Sequence, residues 1–232
     1  MLNKILVTGH RGFIGTHLMR ALPEAIGYDI LDGNDILNIE TLEKVVKDNN
    51  IDTIIHLAAI SNRQETDKNP QLSLTTNVVG SYNVLEVAKR HNVYTILASS
   101  AAIYEPDKTI YGASKDFMEK LSRFFENVTI FRMFNVYGEG SKSVIGIFEN
   151  AIEKGEPITL NGNTIRDYIH IDDVVAKFLE VLKTKPSLIE VGTGTGRTLL
   201  DVVELIETKL GKKANIIQKE PINEIQKSVM KI

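Results

Sequence analysis

K-I-L-V-T-G-H-R-G-F-I-G, residues 4–15, is the stretch on which the reading of the fold turns. Lys4 to Thr8 is an apolar, β-branched run of strand character, and Phe13 to Leu22 has helical patterning. Between them stand Gly9, Gly12 and Gly15 in Gly-x-x-Gly-x-x-Gly spacing, not the commoner Gly-x-Gly-x-x-Gly. Residues without a Cβ let the backbone approach a pyrophosphate, and the following helix N-terminus offers free N–H groups and partial positive charge to that anion. A glycine triplet alone is weak, because tight strand-to-helix turns use glycine for steric reasons too. A second condition is met here. Asp29 ends the next strand candidate, Ala25 to Asp29, twenty residues after Gly9. That is where a carboxylate takes the two ribose hydroxyls of an adenosine.

The turn residues Gly9, Arg11, Gly12, Phe13, Ile14 and Gly15, with Asp29, are therefore expected to hold a dinucleotide. Asp29 favours NAD, since a carboxylate repels the 2′-phosphate of NADP. Arg11 works against that preference if it pairs with the phosphate, and is neutral if it faces solvent or the pyrophosphate. A second glycine run, Gly192-x-Gly194-x-Gly196, lacks the acidic partner: Lys212 stands twenty residues after Gly192. It reads as a strand-to-helix turn.

Outward from residues 4–15, Thr53 to Ala59, Val93 to Ser99 and Val128 to Met133 read as strands. Helical candidates at Glu40 to Asn49, Gln71 to His91 and Tyr111 to Glu126 alternate with them. This rhythm predicts an α/β fold, a Rossmann-like doubly wound parallel sheet over residues 1–135. After Asn135 the pattern changes. A helix over Val144 to Lys154, short strands at Ile158 to Leu160 and Arg166 to Ile169, a strand at Leu188 to Val191 and a helix near Leu199 to Leu210 suggest a small substrate lobe, 136–171 and 184–232. The helix over 172–183, with Asp172 as its N-cap, is expected to pack back on the sheet.

The chain has 232 residues, 43% apolar and 25% charged, with 27 basic and 30 acidic side chains for a net charge of −3. No concentrated positive field speaks for nucleic acid or an anionic membrane surface. The absence of cysteine excludes disulfides, thiolate metal sites and thiol nucleophiles. With no leader pattern at Met1-Leu-Asn-Lys4 and no run of about 18 apolar residues, the expectation is a cytoplasmic protein without a membrane span.

Tyr111 and Lys115 are four residues apart in a predicted helix and so share a face. An ammonium and a nicotinamide cation beside a phenol stabilise its phenolate, and lowering a pKa of about 10 by three units needs roughly 4 kcal/mol. Alone, a Tyr-x-x-x-Lys pair occurs by chance on many helices. Its company matters: H-L-A-A (56–59), N-V-V-G-S-Y-N (77–83), S-S-A-A-I-Y (99–104), Y-G-A-S-K (111–115), F-R-M-F-N-V-Y-G (131–138) and R-D-Y-I-H-I-D-D-V (166–174). Together with the glycine turn, these segments resemble the extended short-chain dehydrogenase/reductase family, the NAD-dependent nucleotide-sugar epimerases and dehydratases, over nearly the whole chain.

The resemblance implies roles. Tyr111 is the general acid/base on a sugar hydroxyl, Lys115 holds the nicotinamide ribose and lowers the tyrosine pKa, and Ser100 bonds the same hydroxyl. Asp35 and Ile36 are on the adenine side, with a cap as the rival role for Asp35. Leu57, Ala58, Ala59, Ala98 and Ser99 pass near the cofactor, as does Asn77, unless its amide is satisfied by backbone. Ser100, Ala101, Asn135 and Arg166 face the substrate, although a surface ion pair is a fair rival for Arg166. His170, Asp172 and Asp173 do not make a metal site on this pattern. Helices 71–91 and 111–126 form the family's homodimer surface.

The family's shared step is hydride transfer between sugar C4 and the nicotinamide. Ala101-Ala102 replace the Asp-Glu pair of the 4,6-dehydratases, and the cysteine used by the fucose-forming epimerase/reductases is absent. That leaves 4-epimerisation of a nucleotide sugar first and NAD(P)H-dependent reduction of a 4-keto sugar second. A loop of only eleven residues from Ser100 to Tyr111, and little chain after Lys219-Glu220-Pro221, keep a third reading open: a non-catalytic NAD-binding sensor or assembly module.

Overall fold

The computed structural model describes residues 4–162, 164–219 and 227–231. Along the chain run β1 (Ile5–Thr8), α1 (Phe13–Ala21), β2 (Ile26–Tyr28), α2 (Ile39–Asp48), β3 (Thr53–His56), α3 (Arg63–Lys68) and α4 (Pro70–Leu74). A π-helical turn at Thr75–Gly80 leads into α5 (Ser81–Arg90), β4 (Tyr94–Ser100), α6 (Ile110–Ser122), β5 (Val128–Met133), β6 (Asn135–Tyr137) and α7 (Val144–Lys154). Then follow β7 (Pro157–Asn161), β8 (Ile165–His170), α8 (Ile171–Thr184), β9 (Leu188–Val191), β10 (Gly196–Thr198), α9 (Leu199–Leu210), β11 (Asn215–Lys219) and β12 (Lys227–Ser228).

The chain divides into two compact units, residues 1–132 with 177–189, and 133–176 with 190–232. The division falls after Arg132, three residues before the sequence-based boundary, and it cuts α8 instead of assigning the whole helix to one side. A six-stranded sheet runs β2-β1-β3-β4-β5-β9, and β1 pairs parallel with both β2 and β3, as β3 does with β4. The order reverses direction at β1, which puts the glycine turn at the switch point where open α/β sheets bind ligands. β1 and β3 are buried at every residue, which is why they read as unbroken apolar runs. Leu6, Ile54, Tyr28, Ile36, Leu42 and Val46 make one core with Val84 and Val87 of α5. Burying each such aliphatic side chain contributes about 1.5–3 kcal/mol. The rings of Phe131 and Phe178 stack with centroids 3.7 Å apart, joining β5 to the C-terminal half of α8.

In the second unit β8 pairs antiparallel with β10 and parallel with β6 and β12, and β7 pairs parallel with β11. Phe148 and Ile152 of α7, Val202, Val203 and Ile206 of α9, and Ile158, Leu160 and Tyr168 form its core. α9 starts in a capping box between Thr198 and Asp201.

Three expectations for the elements need correction. The helix from Gln71 to His91 begins at Pro70 and is widened into a π-turn at 75–80, where Asn77 turns its amide away to bond other backbone. The helix after Tyr111 stops at Ser122, not Glu126. α8 starts at Ile171, so Asp172 lies within its first turn, and its N–H is received at 3.3 Å by the His170 ring.

Candidate active site

The glycine turn is built from the inside by two of its three glycines. Gly9 has φ +73°, and a Cβ there would stand 2.7 Å from the Ala58 backbone nitrogen. A Cβ on Gly15 would stand 2.4 Å from the Gly9 carbonyl oxygen. Gly12 is different: it is exposed, and its Cβ would touch only that oxygen, at 3.2 Å. Gly12 also occupies the N-cap of α1 and offers no side-chain acceptor, and the first turn has no acidic residue. By contrast α2, α6 and α9 are capped by Asn38, Thr109 and Thr198. The N–H groups of Phe13, Ile14 and Gly15 thus head a helix that the chain leaves without a side-chain cap, the arrangement that suits a pyrophosphate.

Asp29, 8% exposed, lies just beyond the end of β2. Its carboxylate accepts the Arg11 N–H and the Leu31 N–H, each at 3.0 Å, which fixes its orientation beside the turn and leaves lone pairs for further donors. Arg11 is engaged. Its guanidinium grips Asp32 through Nε at 3.0 Å and Nη2 at 2.5 Å, and the pair holds the Asp32 carboxyl below its ordinary pKa. His10 closes on the same carboxylate at 3.2 Å. Asp32 escaped the sequence reading, though its place three residues after Asp29 is visible there. Asp35 caps its own turn, accepting the Leu37 N–H at 2.8 Å, and its carbonyl receives the Tyr28 hydroxyl at 3.0 Å. Ile36 is buried, with its side chain against Gly80.

Leu57, Ala58 and Ala59 follow β3 and are half-buried. Ala58 donates its N–H to the Thr8 hydroxyl at 3.3 Å. From Thr8 a buried polar line continues: its hydroxyl meets His56 Nδ1 at 2.7 Å, and His56 Nε2 meets the Ser81 hydroxyl at 2.9 Å. Ser81 donates to the Asn77 carbonyl at 2.6 Å. The Asn77 side chain accepts the Ile60 N–H at 2.8 Å and donates to the Ile60 carbonyl and the Ser114 hydroxyl at 3.0 and 3.1 Å. Ser114 donates to the Tyr111 carbonyl at 2.8 Å. Asn77 therefore has the backbone-satisfied role and links the loop after β3 to the tyrosine helix. Burial, helped by the Lys115 charge, depresses the His56 pKa to about 3, so this imidazole is neutral.

Ser100, Tyr111 and Lys115 converge at the end of β4 and the start of α6. Thr109 caps α6 by accepting the Gly112 N–H at 2.9 Å, which starts the helix one residue before Tyr111. Ser100 hydrogen-bonds the Tyr111 phenol and lowers its pKa, but burial dominates and pushes it up to about 12. The Lys115 ammonium is 5.8 Å from the Tyr111 ring centre and donates to the Ala98 carbonyl at 2.8 Å. Burial lowers its pKa to about 8, against the opposing pull of Glu119. Burial therefore sets the direction of the phenol's shift. Ala98, Ser99 and Ala101 are buried here.

Asn135 and Arg166 lie in the second unit. The Asn135 amide donates to the Asp167 carbonyl at 3.0 Å, joining β6 to β8, and Arg166 bonds the Ile165 carbonyl at 3.1 Å. The second glycine run has a cause that sequence reading missed. Asp167 is fully buried, and its carboxylate accepts the N–H groups of Thr193, Gly194 and Met230 and the Thr193 hydroxyl at 2.6–3.2 Å. Among the described residues no group of three His, Asp or Glu side chains is placed to hold a metal, and no helix is long and apolar enough to cross a membrane.

The chain is similar to known proteins over nearly its whole length. A putative UDP-glucose 4-epimerase of Methanocaldococcus jannaschii is 28% identical over 94% of this chain and 86% of its own length. A dTDP-4-dehydro-6-deoxyglucose reductase of Escherichia coli is 30% identical over 95% and 86%. The crystal structure of a Thermotoga maritima UDP-glucose 4-epimerase with UDP-glucose superposes with a TM-score of 0.89 at 26% identity, covering 98% of this chain and 89% of that one. A sequence profile described as the NAD dependent epimerase/dehydratase family matches residues 5–192. With its glycine turn, its parallel sheet and its Ser-Tyr-Lys cluster in that span, the chain belongs to the NAD-dependent epimerase/dehydratase family.

Proposed function

We propose that the protein inverts C4 of a nucleotide sugar by transient oxidation, with Tyr111 as acid and base. The observation that carries this reading is Ser100 beside the Tyr111 phenol, next to the Lys115 ammonium, on the same unit as the uncapped start of α1. The turn from Gly9 to Gly15 would hold the pyrophosphate of NAD, and Asp29 the adenosine ribose. When bound, oxidised NAD supplies a hydride acceptor for C4 and a further positive charge.

The chain's own residues handle the proton. A phenol at about 12 is protonated at neutral pH, which suits it to reprotonate a C4 oxygen. Acting as a base near pH 7 requires about five units of relief, roughly 7 kcal/mol. Lys115 and Ser100 are the groups beside the phenol that favour its phenolate, and a bound oxidised cofactor would add its positive charge to theirs. NAD is favoured over NADP because Asp29 faces the ribose position and Arg11 is occupied by Asp32.

Incubation with NAD and a panel of UDP-, GDP- and dTDP-sugars tests the reading. Formation of a C4 epimer, lost in Tyr111→Phe, supports it. The E. coli relative favours a second reading, reduction of a 4-keto nucleotide sugar. Consumption of reduced cofactor with a 4-keto sugar and no epimerisation would select that one. Bound NAD with neither activity would select the sensor.

The protein is also proposed to act as a homodimer. Leu72, Val79, Tyr82 and Phe117 are exposed on α4, the π-turn, α5 and α6, and Phe124 is exposed at 79% just after α6. Exposed apolar side chains gathered in one patch are a common mark of association. Light scattering is expected to give twice the chain mass, and Phe124→Glu to shift it towards the monomer. A monomeric wild type would end this part of the reading.

A further inference from the structure

Tyr111, Lys115 and Glu119 follow one another at four-residue intervals on one face of α6. Glu119 is 5% exposed, and its carboxylate is held on both oxygens. Oε1 accepts the Ser99 hydroxyl at 2.5 Å and Arg132 Nε at 3.1 Å, and Oε2 accepts Arg132 Nη2 at 2.7 Å. The Arg132 side chain is itself 11% exposed, and its remaining arm donates to the Tyr104 hydroxyl at 2.8 Å, in the turn that follows Ser100. A buried carboxylate–guanidinium pair is a poor source of stability, because desolvation costs about as much as the attraction returns. Apolar residues of the same volume would hold α6 to β4 and β5 equally well.

We propose that Glu119 is a positioning residue for Lys115: clamped by Arg132 and Ser99, its carboxylate keeps the buried ammonium protonated, and Arg132 limits how strongly that charge is felt. Lys115 is 4% exposed, and the neutral carbonyl of Ala98 is its hydrogen-bond partner on β4. Among the described residues, the titratable groups shown next to it are Tyr111 and Glu119 on α6 and His56 on β3, and Arg132 on β5 reaches it through Glu119. Of these, His56 is neutral and Tyr111 is a phenol, so Glu119 is the anion that opposes discharge by burial. The significance of a charged Lys115 rests on the function proposed above; the state of the ammonium itself does not.

The test is a titration of the full chain carrying lysine labelled with ¹³C at Cε, followed by NMR, with the Lys115 signal identified by its loss in Lys115→Arg. In Glu119→Gln the Lys115 midpoint is expected to fall by about one pH unit. In Arg132→Gln it is expected to rise. If Glu119 and Arg132 were only structural, loosened packing would admit water and raise the midpoint in both variants, which would overturn the proposal. An unmoved midpoint in Glu119→Gln would overturn it as well. Should Glu119→Gln fail to fold, the double variant Glu119→Met with Arg132→Met keeps the volume and removes both charges. There too the midpoint is expected to fall, and a rise or no change rejects the proposal. A wild type that turns over no nucleotide sugar while showing these shifts removes the proposed function alone.

Discussion

The α-carbon of Gly15 is packed so closely on the Gly9 carbonyl that an added Cβ would stand 2.4 Å from its oxygen, while one on Gly12 would stand 3.2 Å from the same atom. Gly15→Ala therefore forces backbone apart and is expected to cost about 1–3 kcal/mol of stability. Gly12→Ala needs only a small adjustment at an ordinary φ of −73°, but it puts a methyl group where a pyrophosphate would approach. It is expected to leave the melting temperature almost unchanged and weaken NADH binding at least about tenfold, or roughly 1.4 kcal/mol. Thermal denaturation beside NADH fluorescence titration separates the two. Equal losses of melting temperature would contradict this division of labour.

Coenzyme choice is expected to depend on Asp32. Asp32→Ala releases the Arg11 guanidinium, which then becomes available to a 2′-phosphate. The ratio of NADPH to NADH affinity is expected to rise by about an order of magnitude, equivalent to roughly 1.4 kcal/mol. Parallel fluorescence titrations with the two coenzymes measure it. An unchanged ratio would show that Arg11 does not face the ribose.

His56 makes stability depend on acidity. Its folded-state pKa is about 3, while the unfolded chain takes up that proton near 6.5. The stability tied to this neutral ring is full above about pH 6.5 and declines as pH falls towards 3. At pH 5 the loss amounts to about 2 kcal/mol. His56→Gln keeps a donor and an acceptor but has no proton to gain. The difference in urea-unfolding free energy between pH 7 and pH 5 is expected to shrink by that amount in the variant. An identical difference in both proteins would rule out the assignment.

Asp167 is expected to be intolerant of its own amide. Asp167→Asn would turn an NH₂ group towards backbone N–H donors that now share two carboxylate oxygens. Leaving buried donors unsatisfied costs about 1–3 kcal/mol each. Urea unfolding followed on the second unit is expected to show a loss of at least about 2 kcal/mol. A loss below about 0.5 kcal/mol would mean the turn relaxes around the substitution.

What could be read from the sequence is what local chemistry encodes. The strand, the glycines and Asp29 lie within twenty-five residues, and Tyr111 and Lys115 within one helical turn, so spacing alone brings them together. Asp32 shares that neighbourhood but was hidden behind the stronger expectation for Asp29. Glu119 could be placed on the face of Lys115, but its clamp comes from Arg132 on another strand, and no local pattern announces that pairing. Asp167 meets donors 26 and 63 residues further on. The π-turn at Asn77 depends on an amide reaching Ile60 across a loop, and helical periodicity does not register it.

The two glycine-rich turns of this chain look alike on paper and have opposite fates. At residues 192–196 the backbone has folded about an anion of its own, so the motif is already sated and has no call for a phosphate. That carboxylate is also a knot shared by distant strands. The amides of Thr193, Gly194 and Met230 should be released together in hydrogen exchange, as one cooperative patch, whenever the knot comes undone.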